Sequence, residues 1–154
     1  MNKQSVQELY APASRCFGCG PSNPEGLQIA SHREGEELVA RFTTQPHHLA
    51  FPGMVNGGIL GSLLDCHANW AAAVSLMELR GLESPPCTVT AEFTVRMKRP
   101  TPLGEELVIR ARTVRSEDPK VWVEGEVWAG EKVTATVSGL FVAVTEGHPA
   151  YGRW

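Results

Sequence analysis

The stretch that decides the fold is Pro52–Arg80, PGMVNGGILGSLLDCHANWAAAVSLMELR. Pro52 and Gly53 predict a turn. Asn56 is a favoured N-cap, because its side-chain oxygen can accept a hydrogen bond from a free amide of the first helical turn. Apolar residues then occur on nearly every face, which is typical of a buried helix. Gly81 and the prolines beyond it predict the end of this helix. We therefore expect one long central helix.

Three residues of this helix are candidates for chemistry. Asp65 is a carboxylate on a buried helix, and it needs either a structural hydrogen-bond partner or a functional role. Gly57 and Gly58 carry amides at the positive end of the helix dipole, which suits an anion or a developing oxyanion. Gly57 and Asp65 are about 12 Å apart along one helix, too far to act on one carbonyl carbon. Two antiparallel helices of a dimer can bring Gly57 of one chain to Asp65 of the other.

The rest of the chain predicts strands. A hairpin is expected from strands at 27–30 and 37–43 with a turn at 33–35, and four further strands are expected at 87–97, 106–115, 121–129 and 132–144. No helix separates the last four strands, which favours antiparallel pairing. The prediction is an α+β fold in one domain, 1–154: a curved antiparallel sheet of about five to six strands wrapped around the helix. Residues 1–15 are expected to be a short helix or arm at the surface, residues 45–52 a loop, and residues 146–154 an exposed tail.

Composition excludes several classes of function. The chain has 154 residues and a net charge of −3, without the basic excess of a nucleic-acid-binding protein. The N-terminal segment has no apolar signal-peptide core, and Asp65, His67 and Asn69 argue against a membrane span. Four cysteines without an export signal predict reduced thiols. We expect a cytoplasmic protein without nucleic-acid or membrane partners.

Cys16 and Cys19 have the spacing of metal ligands. A structural zinc site needs four ligands, usually from a second pair at defined spacing, and the chain has no second such pair. Cys66, Cys87 and several histidines are possible completions, but none forms a clean motif. The alternative is a Gly/Pro-rich loop packed by small thiols. We favour the alternative, so no metal site is predicted, although the question stays open.

Three blocks of the sequence resemble hotdog-fold acyl-CoA thioesterases, in the branch of the 4-hydroxybenzoyl-CoA and phenylacetate-pathway-type thioesterases. The first is CFGCG followed by NPEGL in residues 16–27. The second is His48 followed by PGMVNGG at 52–58, with Asp65 on the next helix. The third is TAEFTVRMKRPTPLG at 90–104. The resemblance covers most of the chain after Arg15 and implies the hotdog fold and a homodimer or a dimer of dimers, that is, a homotetramer.

The resemblance also implies an activity, the hydrolysis of an acyl-CoA thioester to the free acid and CoA. Asp65 matches the catalytic carboxylate, acting as general base or as nucleophile, and the amides of Gly57 and Gly58 match the oxyanion hole. Thr90 matches a threonine that some members use to hold the attacking water. Asn56 stands where the family usually has histidine. Asparagine can cap the helix, but it cannot take a proton as imidazole does.

Substrate-binding residues are expected around this centre. His48 matches a position that the family often fills with histidine, and Met54 is a candidate for the acyl pocket. Arg96, Lys98 and Arg99 are candidates to bind the phosphates of CoA. No cofactor is implied apart from the CoA of the substrate.

Two other functions remain open from the sequence. Asn56 is the reason to consider a non-catalytic hotdog protein that binds acyl-CoA or another small ligand. A hotdog hydratase or dehydratase would need a histidine beside the acid, and only His67 is near Asp65. The sequence does not define the acyl group or decide between dimer and tetramer.

Overall fold

The computed structural model describes residues 3–154. Its helices are α1 (Val6–Tyr10) and α2 (Gly57–Arg80), and its strands are β1 (Ser31–Glu34), β2 (Glu37–Thr43), β3 (Leu49–Phe51), β4 (Met54–Val55), β5 (Thr88–Met97), β6 (Glu106–Glu117), β7 (Lys120–Ala129) and β8 (Lys132–Ala143). Six strands form one sheet in the order β1-β2-β6-β7-β8-β5, and β3 pairs with β4 separately. All neighbouring strands are antiparallel. The predicted α+β architecture is confirmed.

Helix α2 begins and ends where the sequence predicts. The Asn56 side chain accepts hydrogen bonds from the amides of Gly58 (2.8 Å) and Ile59 (3.3 Å). Gly81 adopts the left-handed conformation (φ 64°) and closes the last turn. The helix packs on the sheet through fully buried side chains, the largest being Leu63, Leu64, Trp70 and Leu76. Its burial accounts for its apolar composition.

The first strand lies later in the chain than predicted. Residues 27–30 are not a strand, and β1 starts at Ser31. Leu27 and Ile29 donate backbone hydrogen bonds to the carbonyls of Phe17 (2.7 Å) and Gly18 (3.0 Å). Both side chains are buried in the core, so their apolar alternation reflects core packing of a segment whose backbone bonds to the cysteine loop. The predicted loop 45–52 contains a short 3-10 turn and β3, which pairs with β4 across the predicted Pro52-Gly53 turn.

The N-terminal segment is less exposed than expected for a surface arm. Helix α1 is capped by Ser5, and its residue Gln7 is only 1% exposed. Gln7 Nε2 donates to Ser31 Oγ (2.9 Å), which contacts His67 Nδ1 (2.8 Å), and His67 Nε2 donates to the Leu38 carbonyl (2.7 Å). This buried chain of hydrogen bonds joins α1, the sheet and α2.

The C-terminal segment is also not wholly an exposed tail. Trp154 stacks on Trp70 with ring centroids 4.6 Å apart. Arg153 donates a hydrogen bond from Nη2 to the Thr88 carbonyl (2.9 Å). The expectation of an exposed tail is thus wrong for Trp154, which is half-buried against Trp70 on α2, whereas Arg153 stays exposed while it contacts β5.

Strand β5 forms one edge of the six-stranded sheet. Within residues 3–154 its only strand partner is β8. Phe93 and Met97 on this edge strand are 42% and 52% exposed. Among the described residues, no helix has the length and apolar character needed to cross a membrane.

Candidate active site

Asp65 and Thr90 form the centre of the candidate site. Asp65 and Asn69 are one turn apart on α2 and therefore project from the same face of the helix, toward the start of β5. Asn69 Nδ2 donates to the Thr88 carbonyl (3.3 Å), and Thr90 Oγ1 donates to Asp65 Oδ1 (2.6 Å). A distance of this length is typical of a hydroxyl bonded to an ionised carboxylate. The structure thus brings together the carboxylate and the threonine that the sequence singled out.

The surroundings of Asp65 make it a stronger proton acceptor than an exposed carboxylate. Burial raises the pKa of Asp65, and this effect outweighs the hydrogen bond from Thr90, which lowers it. The nearby Cys16 also raises this pKa and Arg153 lowers it. The net shift is upward. A general base is most effective when its pKa is close to the working pH, so the shift is in the useful direction.

Gly57 carries the amide that is left free at the start of α2. The Asn56 side chain already accepts from Gly58 and Ile59. Within residues 3–154, the Gly57 N–H has no acceptor. Gly58 was predicted as a possible second oxyanion donor, but its amide is engaged by the cap. Asn56 thus has the local role of a helix cap, and it engages the Gly58 amide but not the Gly57 amide.

Gly57 lines a pocket of about 410 Å³. Apolar side chains form much of its wall, among them Phe51, Met54, Leu60 and Met97, and Lys98 and Arg99 complete it. Small-molecule sites commonly have a volume of about 300–1,000 Å³ and mostly apolar walls. The structure therefore brings Gly57 together with three of the predicted substrate-binding residues, Met54, Lys98 and Arg99.

Two other predicted residues do not line this pocket. Arg96 lies with Thr94, Glu124 and Glu126 along an open cleft on the sheet, which it shares with Lys98. His48 is 6% exposed, and its Nδ1 accepts a hydrogen bond from the Gln45 amide (2.9 Å). Burial lowers the pKa of His48. Its carbonyl accepts from the Asn56 amide (2.8 Å), so His48 holds the loop that leads into α2.

The two parts of the candidate site are separated within one chain. Gly57 and Asp65 lie on the same regular helix, which separates them by about 12 Å along its axis. Asp65 is not among the residues that line the pocket at Gly57. The argument made from the sequence applies to the observed helix, and a site shared between two chains stays a prediction.

His67 has no freedom to act in catalysis. Its ring is fully buried, and both nitrogens are engaged by Ser31 and Leu38. Burial lowers the pKa of His67 to about 4. The hydratase hypothesis requires a histidine beside Asp65, and His67 is not available for that role.

Two charged or titratable groups act on Asp65 that the sequence did not place near it, Arg153 and Cys16. Arg153 comes from the predicted tail and lowers the Asp65 pKa by its charge. Cys16, Cys19 and Cys66 bring their sulfur atoms within 4.8 Å of one another. Hydrogen bonds with the Cys19 and Cys66 thiols, together with the backbone amides of Cys19 and Gly18, lower the pKa of Cys16. Cys66 was recognised from the sequence as one possible partner of Cys16 and Cys19, but no pattern signalled Arg153.

Residues 52–136 match the family model of the thioesterase superfamily. This match spans more than half of the 154 residues, and the chain belongs to the thioesterase superfamily. A thioesterase superfamily protein from Shewanella loihica PV-4 is similar in structure, with 30% identity and a TM-score of 0.65, over 76% of this chain and 91% of that one. A search of curated proteins gives no significant match.

Two further solved structures share the fold. The PaaI protein from the phenylacetic acid degradation operon of E. coli has 19% identity and a TM-score of 0.66, over 77% of this chain and 81% of that one. A phenylacetic acid degradation-related protein from Ralstonia eutropha JMP134 has 21% identity and a TM-score of 0.68, over 90% and 99% of the two chains. The resemblance to hotdog-fold thioesterases is confirmed, and with it the hotdog fold.

Proposed function

We propose that this protein hydrolyses an acyl-CoA thioester to the free acid and CoA. The observation that carries the proposal is the hydrogen bond from Thr90 Oγ1 to Asp65 Oδ1 (2.6 Å), on a carboxylate whose pKa is raised by burial. Membership of the thioesterase superfamily supports thioester hydrolysis as the reaction class. The pocket at Gly57 supports a substrate with an apolar part and an anionic part.

In the proposed reaction, Asp65 accepts a proton from a water molecule as the water oxygen attacks the thioester carbonyl carbon. Negative charge builds on the carbonyl oxygen, and the Gly57 N–H donates to it. One such donor commonly contributes about 10²–10³ in rate. The carbon–sulfur bond then breaks, and the CoA sulfur leaves with the proton from Asp65. A direct attack of Asp65 on the carbonyl, through an anhydride that water hydrolyses, uses the same residues.

The reaction requires Gly57 and Asp65 from different chains, since the two are about 12 Å apart on one helix. The edge strand β5 supports such a dimer. Natural proteins usually cover a long, exposed sheet edge, and this edge carries the exposed Phe93 and Met97. Thr90 is on this strand, so a second copy paired here would lie beside Asp65. We propose a homodimer with two equivalent sites.

The CoA part of the substrate has phosphates, and Lys98 and Arg99 supply positive charge at the pocket. Both side chains are exposed, and both lie on the segment directly after β5. Phosphate binding by exposed cations depends on ionic strength. The acyl group is proposed to enter the apolar part of the pocket, against Phe51 and Met54.

The test is thiol release from a panel of short-chain, medium-chain and aromatic acyl-CoAs. Asp65→Asn removes the base while keeping the size of the side chain. Asp118→Asn is the matched control, because this exposed carboxylate pairs with Arg80 on the surface. We expect turnover by the wild type and by the control, and a loss of at least about 10²-fold in Asp65→Asn. Binding of acyl-CoA without turnover by the wild type would instead identify a binding protein.

A further inference from the structure

Three cysteine thiols meet beside Asp65, from two distant parts of the chain. Cys16 and Cys19 come from the loop before β1, and Cys66 comes from the middle of α2. Their sulfur atoms all lie within 4.8 Å of one another, and the Cys16 and Cys66 sulfurs are 3.7 Å apart. Cys19 is buried, whereas Cys16 and Cys66 are half-buried.

The loop is shaped to bring its thiols against the helix. A Cβ atom at Gly18 would lie 2.3 Å from the Cys66 sulfur, so only glycine permits this approach. A Cβ atom at Gly20 would lie 2.4 Å from the Cys16 amide nitrogen and 2.6 Å from the Ser14 carbonyl oxygen. The Gly20 amide donates back to the Cys16 carbonyl (2.8 Å), which closes a tight turn around the two cysteines. The two glycines thus allow the loop to turn tightly and to lie against the Cys66 side chain.

We propose that Cys16, Cys19 and Cys66 bind one zinc ion. Zinc–sulfur bonds of about 2.3 Å in a tetrahedral site place ligand sulfurs about 3.8 Å apart. The Cys16–Cys66 distance of 3.7 Å matches this spacing, and the third sulfur needs only a small adjustment to reach it. Thiolates prefer soft or borderline metal ions such as zinc over magnesium or calcium. A multi-iron cluster places its cysteine ligands on separate iron atoms, whereas these three sulfurs are close enough to share one ion.

The surroundings of the cluster suit thiolate ligands. Trp70 Nε1 donates to the Cys19 sulfur (3.3 Å), and an indole N–H can act only as a donor. Such outer hydrogen bonds orient metal ligands and stabilise their charge. Within residues 3–154, no histidine, aspartate, glutamate or further cysteine joins the three cysteines, so the proposed fourth ligand is water. Binding converts three thiols to thiolates and releases three protons to solvent.

The zinc ion would fix the cysteine loop to α2 one residue from Asp65. This inference is independent of the proposed function, because it rests on the thiols and not on turnover. The sequence alone favoured a loop packed by thiols, since it showed only one CxxC pair. The third ligand becomes visible once the fold places Cys66 against that pair.

The test measures metal content in the full chain. Protein purified with a reductant is incubated with one equivalent of zinc, desalted and analysed by mass spectrometry of the metal. Cys16→Ser and Cys66→Ser each remove one ligand, and Cys87→Ser is the matched control, because this buried free cysteine lies outside the cluster. We expect about one zinc per chain in the wild type and in Cys87→Ser, and at least about a tenfold lower retention in the two ligand variants.

A second measurement needs no variant. Zinc should slow the alkylation of Cys16 and Cys66 in the wild type, and a chelator should restore the original rate, as read by peptide mass spectrometry. Retention of zinc by all variants alike, or unchanged alkylation in a wild type that keeps no zinc, would overturn the proposal. Retention of copper(I) but not zinc would also overturn it. So would a Cys16–Cys66 disulfide in the purified protein, if the protein still binds no zinc once that disulfide has been reduced.

Discussion

Replacing Gly57 by proline removes one hydrogen-bond donor and little else. Gly57 is the first residue of α2, where proline is favoured because its fixed φ suits a helix start. The preceding Asn56 has φ −61° and ψ 133°, a conformation that a following proline permits. Within residues 3–154, the Gly57 N–H has no acceptor to lose. We therefore expect the free energy of unfolding to change by less than about 1 kcal/mol.

The effect on catalysis should be much larger. If the Gly57 amide stabilises the oxyanion, its removal lowers kcat by about 10²–10³-fold, or about 2.7–4 kcal/mol. The assay is thiol release at saturating acyl-CoA, with thermal unfolding measured in parallel. Gly57→Ala is the comparison, because it keeps the amide and its Cβ would meet Met97 Cε at an ordinary 3.4 Å. Equal kcat values for the proline and alanine variants would refute the oxyanion role.

Three further predictions follow from Asp65 and the pocket. Thr90→Val should raise the Asp65 pKa further, because it removes the hydrogen bond that favours the ionised carboxylate. The acid limb of the pH–rate profile then moves to higher pH, whereas Thr94→Val should leave it in place. Asp65→Asn should increase the free energy of unfolding at neutral pH, because a carboxyl whose pKa is raised by folding destabilises the fold when it is ionised. The difference from the wild type should vanish as the pH falls through the folded-state pKa, where Asp65 becomes neutral. An unchanged or lower melting temperature at neutral pH would contradict this. Lys98→Ala should raise KM about 2–5-fold at low salt with little change in kcat, while Lys120→Ala on β7 should not.

The sequence was sufficient for features that depend on local signals. The bounds of α2 follow from the Asn56 cap and from Gly81, which are properties of a few neighbouring residues. The four later strands follow from their period-two pattern. Residues 27–30 show where such reasoning fails, because Leu27 and Ile29 alternate like a strand but bond to the loop at Phe17 and Gly18.

The candidate site was predicted only in part, because several of its contacts join residues that are far apart in the sequence. The Thr90–Asp65 pair came from a family resemblance and was then found at hydrogen-bond distance. The proximity of Cys16 to Cys66 spans 50 positions of sequence and depends on how the loop crosses α2. Arg153, near the far end of the chain, bonds to the Thr88 carbonyl and acts on Asp65 only through its charge. Contacts of this kind are set by tertiary packing and leave no local pattern.

The most direct test of a site shared between chains uses two inactive variants in one mixture. Asp65→Asn and Gly57→Pro are each prepared as pure protein, and the subunits are exchanged at equal concentrations. In a mixed dimer, the intact Gly57 of one chain meets the intact Asp65 of the other, so one of the two sites is complete. Random exchange should restore about a quarter of the wild-type activity. A mixture that exchanges subunits but stays inactive would contradict a site built from two chains.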